Sequence, residues 1–131
     1  MVHKLFEKLI DEGYNFFTGV PDSGLKPFIN DIIESDIDHV IATNEGQAVG
    51  IAVGAELAGK KACVYLQNSG LGNVINPITS LCIPHNVNPL LVVGHRHTLP
   101  QHKVMGEIDE KMLDLVNYSP YIIVKGDNNV K

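Results

Sequence analysis

The chain has 131 residues, a formal charge of −5, 44% hydrophobic and 19% charged residues, which describes one ordinary globular domain with enough apolar material for a core. Its acidic balance and the lack of any basic run argue against nucleic acid or an anionic membrane as the main partner. No apolar stretch reaches the ~18 residues of a membrane span, and the acidic, amphipathic N-terminus is unlike a signal peptide, so a cytoplasmic protein with reduced Cys63 and Cys82 is expected.

Val2, Leu5, Phe6, Leu9 and Ile10 form an i, i+3, i+4, i+7, i+8 stripe that stops at Gly13, which predicts a first helix. "YNFFTGV" follows as a buried strand. In "PDSGLKPFINDIIESD", Asp22 or Ser23 is the expected N-cap of a helix turning Leu25, Phe28, Ile29, Ile32 and Ile33 inward. "HVIAT" predicts a strand, residues 46–58 a helix of small residues, and "ACVYLQ" another strand. "NSGLGN" reads as a tight turn opening a helix over roughly 73–82. "PLLVVGH" is a strand, "RHTLPQHKVMG" a loop, "EIDEKMLDLV" a helix and "YIIV" a last strand. Short apolar strands alternating with helices predict an α/β fold, a mostly parallel sheet with helices on both faces.

In such sheets ligands gather at the carboxyl ends of the strands. Four polar or glycine-rich segments fall there: "GVPDS", "TNEG", "QNSGLGN" and "GHRHTLPQH". Within them Glu45 stands at the head of a helix in which Gly46, Gly50 and Gly54 recur at four-residue spacing. A glycine inside a helix costs about 1 kcal/mol against alanine, so the series calls for a reason. Glu45 reads either as an acid favoured by the helix dipole or as a partly desolvated proton-exchanging group at an interface that the thin helix allows.

Other motifs yield less. "SGLGNVI" has Gly70 and Gly72 but Ile75 in place of the third glycine of a dinucleotide fingerprint. A turn with free N–H groups, able to meet an anion, remains. His95, His97 and His102 have a spacing that suits a metal, but no carboxylate or cysteine joins them in that loop. Arg96 and His102 read more readily as donors to an acidic substrate, or as plain surface residues. Ser23, Ser69 and Ser80 lack a nucleophile elbow. The tail "KGDNNVK" holds fragments of a magnesium-diphosphate motif without the spacing that motif needs.

Together "GVPDSGLKPF", "ATNEGQAVGIAVGAELAGK", "QNSGLGNVINPITSL", "GHR" and "PQHKVMG" resemble the pyrimidine-binding domain of thiamine-diphosphate-dependent decarboxylases, and especially the phosphonopyruvate and sulfopyruvate decarboxylases. The resemblance covers residues 1–125, leaving 126–131 as a polar tail. It implies that Glu45 hydrogen-bonds the aminopyrimidine ring of thiamine diphosphate and favours the tautomer that deprotonates the thiazolium, the cofactor carrying the hard chemistry. It also implies that Asn68, Ser69, Gly70 and Asn73 line the cofactor or substrate pocket, and that Asp22, Ser23, Arg96, Gln101 and His102 face the substrate. The implied reaction is non-oxidative decarboxylation of an acidic 2-oxo acid. "TNEG", "INP" and "PQH" lean towards phosphonopyruvate, giving phosphonoacetaldehyde and CO2, with sulfopyruvate giving sulfoacetaldehyde as the alternative.

The family's diphosphate-binding half has no counterpart in this sequence. The resemblance therefore implies a partner domain or subunit that holds Mg2+ and the diphosphate, and a dimer or hetero-oligomer in which the small-residue helix lies at an interface. A chain standing for a fragment, an anion-binding module and a non-catalytic dimerisation domain are the competing expectations. None of these readings requires a membrane or a nucleic acid.

Overall fold

A computed structural model describes residues 2–125. The polar tail expected at 126–131 lies outside the described residues.

Helix α1 (Val2–Asp11) leads into β1 (Phe16–Gly19) through Gly13, whose φ of +94° is open to glycine at little cost. A 3-10 turn (Ser23–Leu25) enters α2 (Lys26–Glu34), and β2 (Asp38–Ile41) follows. Helix α3 (Glu45–Leu57) and β3 (Ala62–Gln67) come next. A 3-10 helix (Asn68–Asn73) then runs into α4 (Ile75–Pro77), a π-helical turn (Ile78–Cys82) and α5 (Ile83–His85). Strand β4 (Leu90–Gly94), a 3-10 turn (Pro100–His102), α6 (Lys103–Leu115) and β5 (Tyr121–Val124) complete the described chain.

The five strands form one sheet in the order β2-β1-β3-β4-β5, and every pair is parallel. Strand alternation divides the core in two. Val64, Leu66, Leu91 and Val93 meet Ala48, Val49, Ala52 and Val53 of α3, with Ile78 and Leu113, on one face. Phe17, Tyr65, Leu90 and Val92 meet Leu9 of α1 and Leu25, Phe28 and Ile32 of α2 on the other. Small residues on α3 bring that helix down over β1 and β3, whereas the opposite face is filled by rings, Phe28 standing edge-on to both Phe17 and Tyr65.

Three details depart from the sequence expectations. Ile33, expected inward, is 56% exposed, because the sheet ends at β2 and no described element covers that margin of α2. Strand β2, expected as a short apolar strand of a sheet with helices on both faces, is largely exposed for the same reason and is tied in by His39 Nε2 to Tyr65 Oη at 2.7 Å. Helix α6 begins at Lys103 inside the segment expected to be loop. Gly106, which reads as a helix breaker, is accommodated there because a Cβ would lie 2.6 Å from His97 Cδ2. Among the described residues no helix is long and apolar enough to cross a membrane.

Candidate active site

The chain leaves β1 towards β2 and leaves β3 towards β4, so the order reverses between the neighbouring strands β1 and β3. At such a reversal the two connections part and a crevice opens beyond the carboxyl ends. The segments after β1, β3 and β4 and the head of α3 all arrive at this edge.

The first group of side chains forms around Glu45. Asn44 caps α3, its Oδ1 accepting from the Gln47 N–H at 2.9 Å. Gln47 Oε1 in turn accepts from the Thr43 N–H at 2.7 Å and the Thr43 hydroxyl at 2.9 Å. These bonds fix the first turn and, with it, the half-buried Glu45. Asn73 Nδ2 donates to Glu45 Oε1 at 2.8 Å. Gly70 lies under the same carboxylate: a Cβ there would be 2.5 Å from Glu45 Cγ, Cδ and Oε2. Gly46 gives the same clearance one residue on, where a Cβ would lie 2.9 Å from the Asn73 carbonyl. Among the described residues Oε2 has no hydrogen-bond partner.

A second group forms where the β1 and β4 segments meet. Arg96 Nη2 lies 3.3 Å from Asp22 Oδ1 and also donates to Ser23 Oγ. Asp22, expected as the N-cap of α2, stands instead before the 3-10 turn, with Leu25 in the cap position of α2; its side chain makes no cap bond and reaches Arg96. Gly94 makes that approach possible, since a Cβ at this position would overlap Asp22 Oδ2.

The remaining expected residues are placed as follows. Asn68 is fully buried beneath the edge, donating to the Arg96 carbonyl at 2.9 Å and to Asp109 Oδ2 at 3.0 Å. Ser69 is exposed and accepts from Gln67 Nε2 at 2.6 Å. Gln101 is exposed and His102 half-buried on the turn before α6, and no hydrogen bond joins either to the two groups. The sequence reading missed Asp109 and the Asn44–Gln47 cap. The cap was legible as Asn with Gln three residues later, and Asp109 as an acid on the same helix face as Met112, Leu113 and Val116.

Buried polar atoms normally find partners, so each unpaired one calls for a reason. Six such side-chain atoms occur among the described residues, and four of them lie on the segments after the strands: Asp22 Oδ2, Asn68 Oδ1, Arg96 Nε and His102 Nδ1. A groove of about 430 Å3 between α1 and α2, lined by Lys4, Phe6, Glu7, Asp31, Glu34 and Ser35, collects none of these groups.

The edge can therefore offer one carboxylate oxygen, held still by an amide and set over a glycine, to a ring nitrogen or N–H. It can offer a guanidinium to an acid. A Glu45 fixed in this way fits the aminopyrimidine end of thiamine diphosphate. Among the described residues no three His, Cys, Asp or Glu converge to hold a metal ion.

The family described as "Thiamine pyrophosphate enzyme, N-terminal TPP binding domain" matches residues 1–116. Sulfopyruvate decarboxylase subunit alpha of Methanococcus maripaludis is 35% identical over 127 residues, 92% of this chain and 75% of that one. Phosphonopyruvate decarboxylase of Streptomyces viridochromogenes is 39% identical over 109 residues, 79% of this chain but 28% of that longer one. The same fold occurs in 2-oxoglutarate:ferredoxin oxidoreductase from Magnetococcus marinus, with a TM-score of 0.70 at 15% identity, covering 97% of this chain and 29% of that one. The chain belongs to the thiamine pyrophosphate enzymes and carries their N-terminal TPP-binding domain.

Proposed function

We propose that this chain supplies the pyrimidine end of a thiamine-diphosphate site in a non-oxidative decarboxylase of an acidic 2-oxo acid, 3-phosphonopyruvate or 3-sulfopyruvate. The observation that carries the reading is Glu45, capped in place at the head of α3, steadied by Asn73 and set over Gly70. When bound, the cofactor supplies the nucleophilic carbon that adds to the ketone and takes up the electron pair released as CO2 leaves. Glu45 Oε2 holds and exchanges the ring proton, while Asn73 keeps Oε1 occupied and the carboxylate aimed. Gly70 leaves the space that the Glu45 carboxylate itself occupies, since a Cβ there would lie 2.5 Å from it.

Both candidate substrates carry a second anionic group on C3, and a planar guanidinium pairs with either. Arg96 is the residue for this role, with Ser23 and Asp22 orienting it and Gln101 and His102 standing at the outer margin. The leaning towards phosphonate in "TNEG", "INP" and "PQH" is balanced by the 35% identity with a sulfopyruvate decarboxylase subunit, and assays of both acids will separate them.

The diphosphate and Mg2+ belong, in this reading, to a second domain or subunit. The face of α3 that carries Gly50 and Gly54 supports a further polypeptide beside this one: a Cβ at either glycine meets nothing within 4 Å, and Leu57 in the same helix is 75% exposed. A native mass spectrum of the chain purified from its host with thiamine diphosphate and Mg2+ tests the proposal. A hetero-oligomer that carries cofactor and decarboxylates one of the acids supports it. A bare homo-oligomer without cofactor contradicts it.

A further inference from the structure

One buried carboxylate joins the two groups of the site. Asp109, on the inner side of α6, is 2% exposed. Its Oδ2 accepts from His95 Nδ1 at 2.5 Å and from Asn68 Nδ2 at 3.0 Å, and its Oδ1 accepts from the Glu110 N–H at 2.7 Å. A carboxylate only accepts, so Nδ1 of His95 carries the hydrogen. Asn68 Nδ2 gives a second bond to the Arg96 carbonyl at 2.9 Å. Gly106 lets the same segment settle on α6, since a Cβ there would lie 2.7 Å from that carbonyl oxygen.

A buried acid is an inefficient way to fill a core, because desolvation offsets most of what its bonds return and an apolar side chain would do better. Fully bonded, it does hold its neighbours in one arrangement. Its neighbours here are the two halves of the site. Asn68 opens the 3-10 helix whose Gly70 and Asn73 frame Glu45. His95 and Arg96 follow β4, and Arg96 reaches Asp22 and Ser23.

We propose that Asp109 is a positioning residue: with Asn68 and His95 it latches the segments after β3 and β4 together and so fixes the offset between the Arg96 guanidinium and the Glu45 carboxylate. The inference rests on the reading of Glu45 and Arg96 given above. It assigns Asp109 an effect on the placement of the acidic substrate, and little effect on the cofactor.

The test uses Asp109→Asn and Asn68→Ala in the complete assembly, with side-chain 15N spectra of His95 and steady-state kinetics. The wild type should show His95 protonated at Nδ1, with that signature lost in Asp109→Asn and kept in Asn68→Ala. In both variants KM for the acidic substrate should rise about ten-fold, and in Asp109→Asn kcat should change less than about three-fold. In Asp109→Asn thiamine diphosphate affinity should stay within about two-fold of wild type. KM and cofactor Kd rising together in Asp109→Asn would mean general loosening and would overturn the latch, as would unchanged kinetics in both variants. A wild-type His95 without hydrogen on Nδ1 would overturn the latch alone. An intact His95 signature in an assembly inactive on both acids would overturn the functional reading alone.

Discussion

The head of α3 and its later turns are built from the same residue types for different ends. Gly46, together with Gly70 opposite, is fully explained inside the chain, because a Cβ at either would strike the Asn73 carbonyl or the Glu45 carboxylate. Gly50 and Gly54 have no such explanation: the space beside them is open. The first turn is thus shaped around a carboxylate that this domain itself positions. The later turns expose a flush surface whose cost to the helix is recovered only if something outside the chain meets it.

Glu45→Gln separates the head of α3 from its later turns most sharply. It should lower turnover of the complete assembly by about 100-fold or more, with assembly mass unchanged by native mass spectrometry. Dissociation of the complex by this one change would mean that the head of α3 serves the interface as well. Gly70→Ala comes next. Overpacking against Glu45 should cost about 1–3 kcal/mol in chemical denaturation and weaken thiamine diphosphate binding in titration calorimetry.

Gly50→Ala and Gly54→Ala should act in the opposite direction on the lone chain, each adding about 0.5–1 kcal/mol by improving helix propensity into open space. The same pair should weaken association in sedimentation experiments; tighter or unaltered association would remove the argument for a partner on that face.

The smallest effect concerns β2, the exposed strand that delivers the chain to α3. Burial lowers the His39 pKa, so the fold favours its neutral form. Stability from this group is present above the ordinary value of 6.5 and is lost as pH falls through the folded value, a loss that His39→Gln should remove from the urea-denaturation profile. At the alkaline end the sign reverses. Burial pushes Tyr65 up to about 12 and Cys82 up to about 11, so their contributions hold at neutral pH and fade as pH rises through those values.

Much of this arrangement was legible in the sequence. Alternation of short apolar runs with amphipathic helices gave the parallel α/β sheet, and an acid set among tiny residues singled out Glu45. What could not be read was distance. The four-residue spacing makes Gly46, Gly50 and Gly54 look equivalent, and only the approach of residues 70–73 separates them. Gly106 read as the end of a loop because nothing local announces that His97 will lie against it. Asp109 was not singled out in its helix, although it shares a face with Leu113; its partners Asn68 and His95 are 41 and 14 residues away. Ile33 and β2 were misjudged because a strand's place at the edge of the sheet is a property of topology.

The central claim, that Glu45 governs the protonation of a cofactor held at the head of α3, is tested most directly by hydrogen–deuterium exchange at the C2 position of thiamine diphosphate in the complete assembly. Exchange should be rapid in the wild type and slowed about 100-fold or more in Glu45→Gln with the cofactor still bound. Equal exchange rates in the two proteins would contradict it.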